Sequence, residues 1–298
     1  MSQSRYFSPV FCNNMLNEFY HKRNKKMKPT VRGQLAHKTI WITGASSGIG
    51  EALAIACAER GANLVLSARR IDELERVKAA CSEVGHGRFL TVSLDVTDDV
   101  ACDTAYFNIA KEMGQVDWLI NNAGISQRSL ISDTITDVDR RIMEVDYFSV
   151  VNLTRKVLPD MLKRKKGKVV FISSVAGLVG TQYRGSYSAA KAAVHLWANS
   201  LRAEVGGQGI GVSVVFPGFV KTNVSVAALV GDGSELGTMD DAQAGAMSAT
   251  DFAEKTIKAL LAGREYIVVG GAKEKVAALL SRVSPTLLYK VIRRAKVR

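Results

Sequence analysis

An α/β fold with one doubly wound, mostly parallel sheet and helices on both faces is predicted by two features of the 298-residue chain. Short β-branched apolar runs alternate with helix-length amphipathic stretches, and the composition stays in one regime throughout that alternation. Strict alternation of strand and helix demands crossover connections, which make adjacent strands parallel and cover both sheet faces. The reading is a single domain over 37–272, with a basic, flexible extension at 1–36 and a basic, helical segment at 273–298.

The runs justify the elements in turn. “TIWITGA” from Thr39, “NLVLSA” from Asn63, “RFLTVSLDV” from Arg88, “VDWLINNAG” from Val116, “GKVVFISS” from Gly167 and “GVSVVFPG” from Gly211 are buried-strand candidates, and “EYIVVGG” from Glu265 makes seven. “EALAIACAERG” and “IDELERVKAACSEVG” carry the helical period between them. The stretch 223–252 has no strong strand pattern and is expected to be a lid over the substrate. Val226, Leu229, Leu236, Met239 and Met247 are its candidate apolar lining.

Charge narrows the function classes. The net charge of +12 belongs to the ends: residues 1–36 hold seven Lys/Arg against one acid and 273–298 eight against one, so the body between is close to neutral. The ends read as solvated tails, with contact to an anionic membrane as the alternative, and no specific nucleic-acid partner is expected because no aromatic-interleaved or groove-docking pattern accompanies them. No run approaches the roughly 18 apolar residues of a membrane span and no signal-peptide core precedes the body, so a cytoplasmic protein, peripheral at most to a membrane, is expected. Cys12, Cys57, Cys81 and Cys102 share no CxxC spacing and are expected to be reduced; no metal site is expected.

The first strand runs into “TGASSGIG”, where Gly44, Gly48 and Gly50 permit a tight turn and close backbone approach before a helix begins. Helix N–H groups and the positive dipole end there suit a pyrophosphate, which implies a nucleotide cofactor on a Rossmann-type domain. After the second strand the chain reads “SARR”. A carboxylate about 20 residues past the glycines would bond a ribose 2′-hydroxyl, and none is present until Asp72, which is read as a helix cap. Arg69 offers a planar, permanently charged fork for a 2′-phosphate and Ser67 a hydroxyl, so NADP(H) is the expected cofactor; Arg70 is read as solvated surface.

Tyr187 and Lys191 in “YSAAK” stand one helical turn apart and share a face. A phenol with a reference pKa of about 10 is a poor proton donor at neutral pH unless a nearby cation favours the phenolate, and Lys191 can be that cation. The pentapeptide alone fits an amphipathic helix with an incidental Tyr and Lys equally well.

Together these motifs resemble the short-chain dehydrogenase/reductase family in its compact form. The resemblance covers Lys38 to Gly271 and rests on “TGASSGIG”, “LDVTD”, “NNAG”, a Ser thirteen residues before the Tyr, “YSAAK” and “PGFVKT”, in that order. It implies that Tyr187 exchanges a proton with the substrate oxygen, that Lys191 lowers the Tyr187 pKa and bonds the nicotinamide ribose, and that Ser174 holds the carbonyl, with Ser173 its structural sibling. It also implies a cofactor surface. Gly44, Ser46, Ser47, Gly48, Ile49 and Gly50 form the first wall, and Ser67, Arg69, Asp95 and Val96 lie toward the adenosine. Asn122, Ala123 and Gly124, with Tyr187 and Lys191, continue it, and Pro217, Gly218, Val220 and Thr222 close it.

One position departs from the family pattern: Asp146 stands where an Asn is usual. An ionised Asp accepts but cannot donate, so the relay behind Lys191 is expected to be altered and Asp146 to join the catalytic group. His195 is read as a packed or interface residue, and “KRKKGK” from Lys163 as a solvated helix end. The expected function is NADP(H)-dependent hydride transfer between nicotinamide and an apolar carbonyl or secondary alcohol. A weakly active or non-catalytic NADP-binding protein and a membrane-docked reductase are the alternatives. A homodimer or homotetramer is expected through the Tyr187 helix, with Ala192, Ala193, Leu196 and Trp197 available between chains.

Overall fold

The structure, a computed structural model, describes residues 33–222, 224–238 and 246–293. Strands β1 (Thr39–Thr43), β2 (Asn63–Ala68), β3 (Phe89–Ser93), β4 (Trp118–Asn121), β5 (Gly167–Ile172), β6 (Ile210–Pro217) and β9 (Tyr266–Val269) form the expected seven-stranded sheet in the order 3-2-1-4-5-6-9. Every pairing within it is parallel. The short β7 (Val220–Lys221) and β8 (Met247–Ser248), which the sequence pattern did not announce, pair separately.

Strand parity explains why the runs are apolar without a break. In β1, Ile40 and Ile42 face one core and Trp41 the other; in β2, Leu64 and Leu66 oppose Val65 in the same way. Helices α1 (Gly48–Ala58), α2 (Ile71–Val84) and α7 (Ala249–Leu261) cover the first face. Helices α3 (Asp99–Met113), α5 (Ser149–Arg164) and α6 (Gly185–Glu204) cover the second. Helix α4 (Thr136–Met143) runs into α5 through a π-turn, Glu144–Phe148, which contains Asp146.

The start of the sheet is held by a carboxylate. Buried Asp117 accepts the Thr39 amide at 3.0 Å and the Gln115 side chain at 3.1 Å, and Arg164 stands 3.7 Å away. Arg164 also donates to the Val116 carbonyl, and Lys168 donates to the Leu260 carbonyl while lying 4.8 Å from the Trp118 ring. Two members of “KRKKGK” are therefore structural rather than solvated. The cysteines among the described residues, Cys57, Cys81 and Cys102, are free and buried. Burial pushes the first two thiols up to about 12 and the third to about 11.

Three expected boundaries change. Residues 1–32 lie outside the described residues, but the turn at 33–36 is packed, with Leu35 buried and its amide bonded to the Arg60 carbonyl. The C-terminal segment is two docked helices, α8 (Ala272–Val283) and α9 (Pro285–Ile292), anchored by buried Ala278 and Leu288. In the lid, residue 223 and 239–245, Met239 among them, lie outside the described residues, and 249–252 belong to α7. The part at 224–238 is pinned rather than loose: Leu229 is buried, its amide donates to Ser126 O and its carbonyl accepts Arg128 N.

Removing the Asp117 carboxylate leaves the Thr39 N–H without its acceptor, while Arg164 keeps Asp160 and the Val116 carbonyl. Asp117→Ala is expected to cost about 1–3 kcal/mol in stability, read as a lower denaturation midpoint. An unchanged midpoint would mean that solvent replaces the carboxylate there.

Candidate active site

The chain turns outward from β1 to β2 and β3 and then returns to place β4 on the other side of β1. The crevice beyond the C-terminal ends of β1 and β4 is therefore the topological switch point, where open α/β sheets bind ligands. Thr43 ends β1 and stitches this crevice: its hydroxyl oxygen accepts the Asn122 and Ala123 amides at 3.0 Å each. The Asn122 side chain returns a bond to Thr43 O at 2.9 Å and reaches Gly44 O at 3.2 Å. Asn122 thus supports the glycine turn from below, a role carried by residues that sequence motifs alone assigned to the cofactor.

The glycines are required sterically. Gly44 and Gly48 have φ of +64° and +61°, and a Cβ on Gly50 would stand 2.2 Å from the Gly44 carbonyl oxygen. A Cβ on Gly48 would stand 3.1 Å from the Thr222 methyl, so the loop after β6 closes against the glycine turn. That loop is fixed by the Gly218 amide, which donates to Val269 O at 2.9 Å, and by Val220, buried in β7 just after Pro217. Ser47 caps α1 through its backbone alone, and Ile49 packs on the first core. The first helical N–H groups lack intrahelical partners and a cradle without side chains faces them, so these residues fit a dinucleotide pyrophosphate.

The adenosine side differs in part from expectation. Ser67 is fully buried: its hydroxyl accepts the Trp41 indole N–H at 2.9 Å and donates to Ile42 O, so it does not face a ribose phosphate. Strand parity is the reason, because Ser67 lies on the same face as Val65, in the core beside Trp41. Arg69 is exposed at the strand end, and Arg70 is the surprise. Its guanidinium reaches back to the Ser46 and Ser47 hydroxyls at 3.3 and 3.5 Å, bridging the glycine turn. Arg70, not Asp72, occupies the α2 N-cap position, with Asp72 in the first turn. Asp95 accepts the Thr97 amide and hydroxyl. These bonds, with the Arg69 charge, hold it below the usual carboxylate range, and buried Val96 follows it.

The Tyr187, Lys191 and Asp146 side chains converge. Lys191 Nζ lies 5.8 Å from the Tyr187 ring centroid, donates to Ile172 O at 3.2 Å and stands 3.3 Å from Asp146 Oδ2. Asp146 is fully buried and its Oδ1 accepts the Ile125 amide at 2.7 Å. Gly124 leaves no space for a side chain beside them, since a Cβ there would meet both Asp146 Oδ1 and Lys191 Nζ at 3.1 Å. Burial opposes the Lys191 charge, but Asp146, with Tyr187 behind it, outweighs that and raises the ammonium pKa. Burial also raises the Asp146 pKa, against the pull of Lys191 and the Ile125 N–H. Because lysine starts far above a carboxylate, the shared proton resides on Lys191.

Ser174 follows β5, where its hydroxyl oxygen accepts the Ala176 amide at 3.1 Å and no described acceptor takes its proton. Ser173 is buried and donates to Lys191 O at 2.8 Å, the structural part expected of it. Gln127 carried no motif, yet its buried side-chain oxygen accepts the Ser186 amide at 3.0 Å and the Tyr187 amide at 3.4 Å, fixing the start of α6. Its sequence signal was absent because it acts from a loop through backbone contacts. Tyr187 packs with Ile125, Val138 and Ile142 in one apolar cluster with Leu229 of the 224–238 segment. His195 is packed edge-on to Phe216 at 5.0 Å, with burial, then the Arg282 and Arg202 charges, lowering its pKa.

If Ser67 is a core residue, Ser67→Ala should cost about 1–3 kcal/mol by orphaning the Trp41 indole N–H, and leave the affinity for NADPH and NADH unchanged. A selective loss of NADPH affinity would return Ser67 to the phosphate site.

The short chain dehydrogenase family profile matches residues 38–229. A Drosophila melanogaster dehydrogenase/reductase SDR family protein 7-like is 40% identical over 270 residues, covering 90% of this chain and 83% of that protein. A Xenopus laevis dehydrogenase/reductase SDR family member 7B is 40% identical over 266 residues, covering 86% and 81%. Among solved structures, a short-chain dehydrogenase from Streptomyces avermitilis is similar with a TM-score of 0.72 at 31% identity, over 86% of this chain and 98% of that one. Levodione reductase shares the fold with a TM-score of 0.70 at 23% identity, over 81% and 99%. The chain belongs to the short-chain dehydrogenase/reductase family, an oxidoreductase family that uses nicotinamide cofactors.

Proposed function

We propose that the chain is an NADP(H)-dependent oxidoreductase that interconverts an apolar carbonyl compound and its secondary alcohol. The observation that carries this reading is a phenol, an ammonium and a carboxylate gathered at the switch point with the carboxylate fully buried behind the ammonium. A bound nicotinamide supplies or accepts the hydride. Ser174 donates its free hydroxyl proton to the substrate oxygen and orients the carbonyl, which also stabilises charge building on that oxygen. Tyr187 passes a proton to the same oxygen in reduction and takes it back in oxidation. Lys191, held charged by Asp146, favours the phenolate left behind and reaches the nicotinamide ribose. Ile125 and Leu229 beside Tyr187 keep water from the reacting atoms and favour an apolar substrate.

The exposed Arg69 and the bridging Arg70 support the 2′-phosphate preference, because no carboxylate stands at the end of β2 to bond a ribose hydroxyl. We also propose a homo-oligomer through α6, where Leu196 is exposed; Trp197 is already packed edge-on to Phe171 at 5.9 Å and contributes less than the sequence suggested.

The test follows NADPH oxidation against a panel of aliphatic and aromatic carbonyls. Tyr187→Phe is expected to lower turnover at least about 100-fold while NADPH affinity stays within a few-fold. NADPH should be preferred over NADH by at least about tenfold, roughly 1.4 kcal/mol, and Ala68→Asp with Arg69→Ala should reverse the preference. Substantial turnover by the Phe variant would show that another group moves the proton. Equal affinity for the two cofactors in the unaltered protein would dismiss the 2′-phosphate reading.

A further inference from the structure

We infer that the paired helices α8 and α9 form a docking surface for an anionic lipid bilayer. Their inner sides are accounted for: Ala278 and Leu288 are buried, and the Arg282 guanidinium lies 4.0 Å from the Tyr266 ring centroid. Their outer sides carry large apolar residues in helical register. Val276, Leu279 and Val283 follow at i, i+3 and i+7 along α8, and Leu287 and Val291 at i and i+4 along α9. All five are exposed, Leu279 to 62% and Val283 to 73%. Exposed apolar residues clustered in this way mark an interaction surface rather than the scattered hydrophobes any protein shows.

The charge around this ridge selects the occupant. Lys273, Lys275, Lys290 and Arg293 are exposed beside it. The sole acid of the two helices among the described residues is Glu274, whose side chain lies against Gly218 and Gly270. The sequence adds Arg294, Lys296 and Arg298 directly after. An apolar ridge rimmed by cations with no exposed acid is the pattern of a helix that lies in the headgroup layer, with its apolar face among acyl chains and its cations on anionic lipid. No described helix is long and apolar enough to cross a membrane, so the contact is with the surface. A second copy of the chain fits less well, because a two-fold interface here would set this cationic rim against its own image. Nucleic acid fits less well too, since the ridge would meet a polar, phosphate-lined partner.

The full chain is sedimented with vesicles of phosphatidylcholine alone and with about one-third phosphatidylserine, at low and high salt. Binding should be at least about tenfold stronger with phosphatidylserine and weaken as salt rises. The variant Leu279→Ser with Val283→Ser and Leu287→Ser should lose at least about tenfold in binding, with the denaturation midpoint and NADPH affinity retained. Lys273→Glu with Lys290→Glu, both fully outside the packed core, should lose binding to a similar extent and keeps the test decisive if the apolar variant misfolds. Absence of vesicle binding at low salt would overturn the proposal. So would equal binding to both vesicle types, full retention by the charge variant, or a drop from dimer to monomer in vesicle-free light scattering of the apolar variant, which would assign the ridge to a second copy.

Discussion

A carboxylate and an ammonium taken out of water together govern the rest of this site. Asp146 and Lys191 stand 3.3 Å apart inside the protein, and each is tolerable there only because of the other. Desolvating either ion costs several kcal/mol, and removing one partner of a buried pair commonly costs about 3–5 kcal/mol because the other charge is stranded. The surrounding backbone meets part of what the pair leaves over: Asp146 Oδ1 accepts the Ile125 amide and the Ile172 carbonyl accepts from Lys191, while Asp146 Oδ2 faces only the ammonium. The pair therefore ties β4, β5, the π-turn and α6 to one point, directly behind Tyr187.

That point coincides with the place where the sheet reverses direction, and the coincidence is enforced by steric limits. Gly50 must lack a side chain to pass the Gly44 carbonyl, and a Cβ on Gly124 would press on both members of the ion pair at 3.1 Å. Thr43 and Asn122 cross-link the two strand ends between these glycines. The glycine turn and the ion pair are thus joined through the short stretch Asn122–Ile125. The contacts of Leu229 with Ser126 and Arg128 extend the same connection to the segment over the substrate side.

The seven strands were legible because they are short apolar runs, the inner ones buried on both faces and the edge strands β3 and β9 only partly, and the helices between them left no other topology than crossovers. Tyr187 and Lys191, named by spacing, stand together in the structure because one helical turn separates them, and Gly50 is where a side chain would strike the Gly44 carbonyl. Ser67 was misread because a motif cannot say which face of a strand a hydroxyl takes; the Val65–Ser67 parity held that signal. Arg70 and Gln127 act through loop geometry, which leaves no periodic trace. The identity of Asp146 was plain, but its aim at Lys191 depends on the π-turn, whose wider winding is not written in any residue pattern. The C-terminal segment was expected to be basic and helical, and what went unread was the spacing of the valines and leucines along it.

The central claim is that Asp146 holds the proton on Lys191. Its most direct measurement is the pH dependence of carbonyl reduction in the unaltered protein and in Asp146→Asn. Asn keeps an oxygen for the Ile125 N–H and nearly the same volume, but it removes a buried negative charge. Lys191 then lacks the anion that offsets its burial, so its ammonium gives up the proton at lower pH. Because the charged ammonium supports proton transfer by Tyr187, activity that falls as pH rises should begin to fall earlier in the variant, shifting its alkaline limb downward. Superimposable alkaline limbs for the two proteins would contradict the claim and leave Asp146 as a packing residue with no hold on the proton.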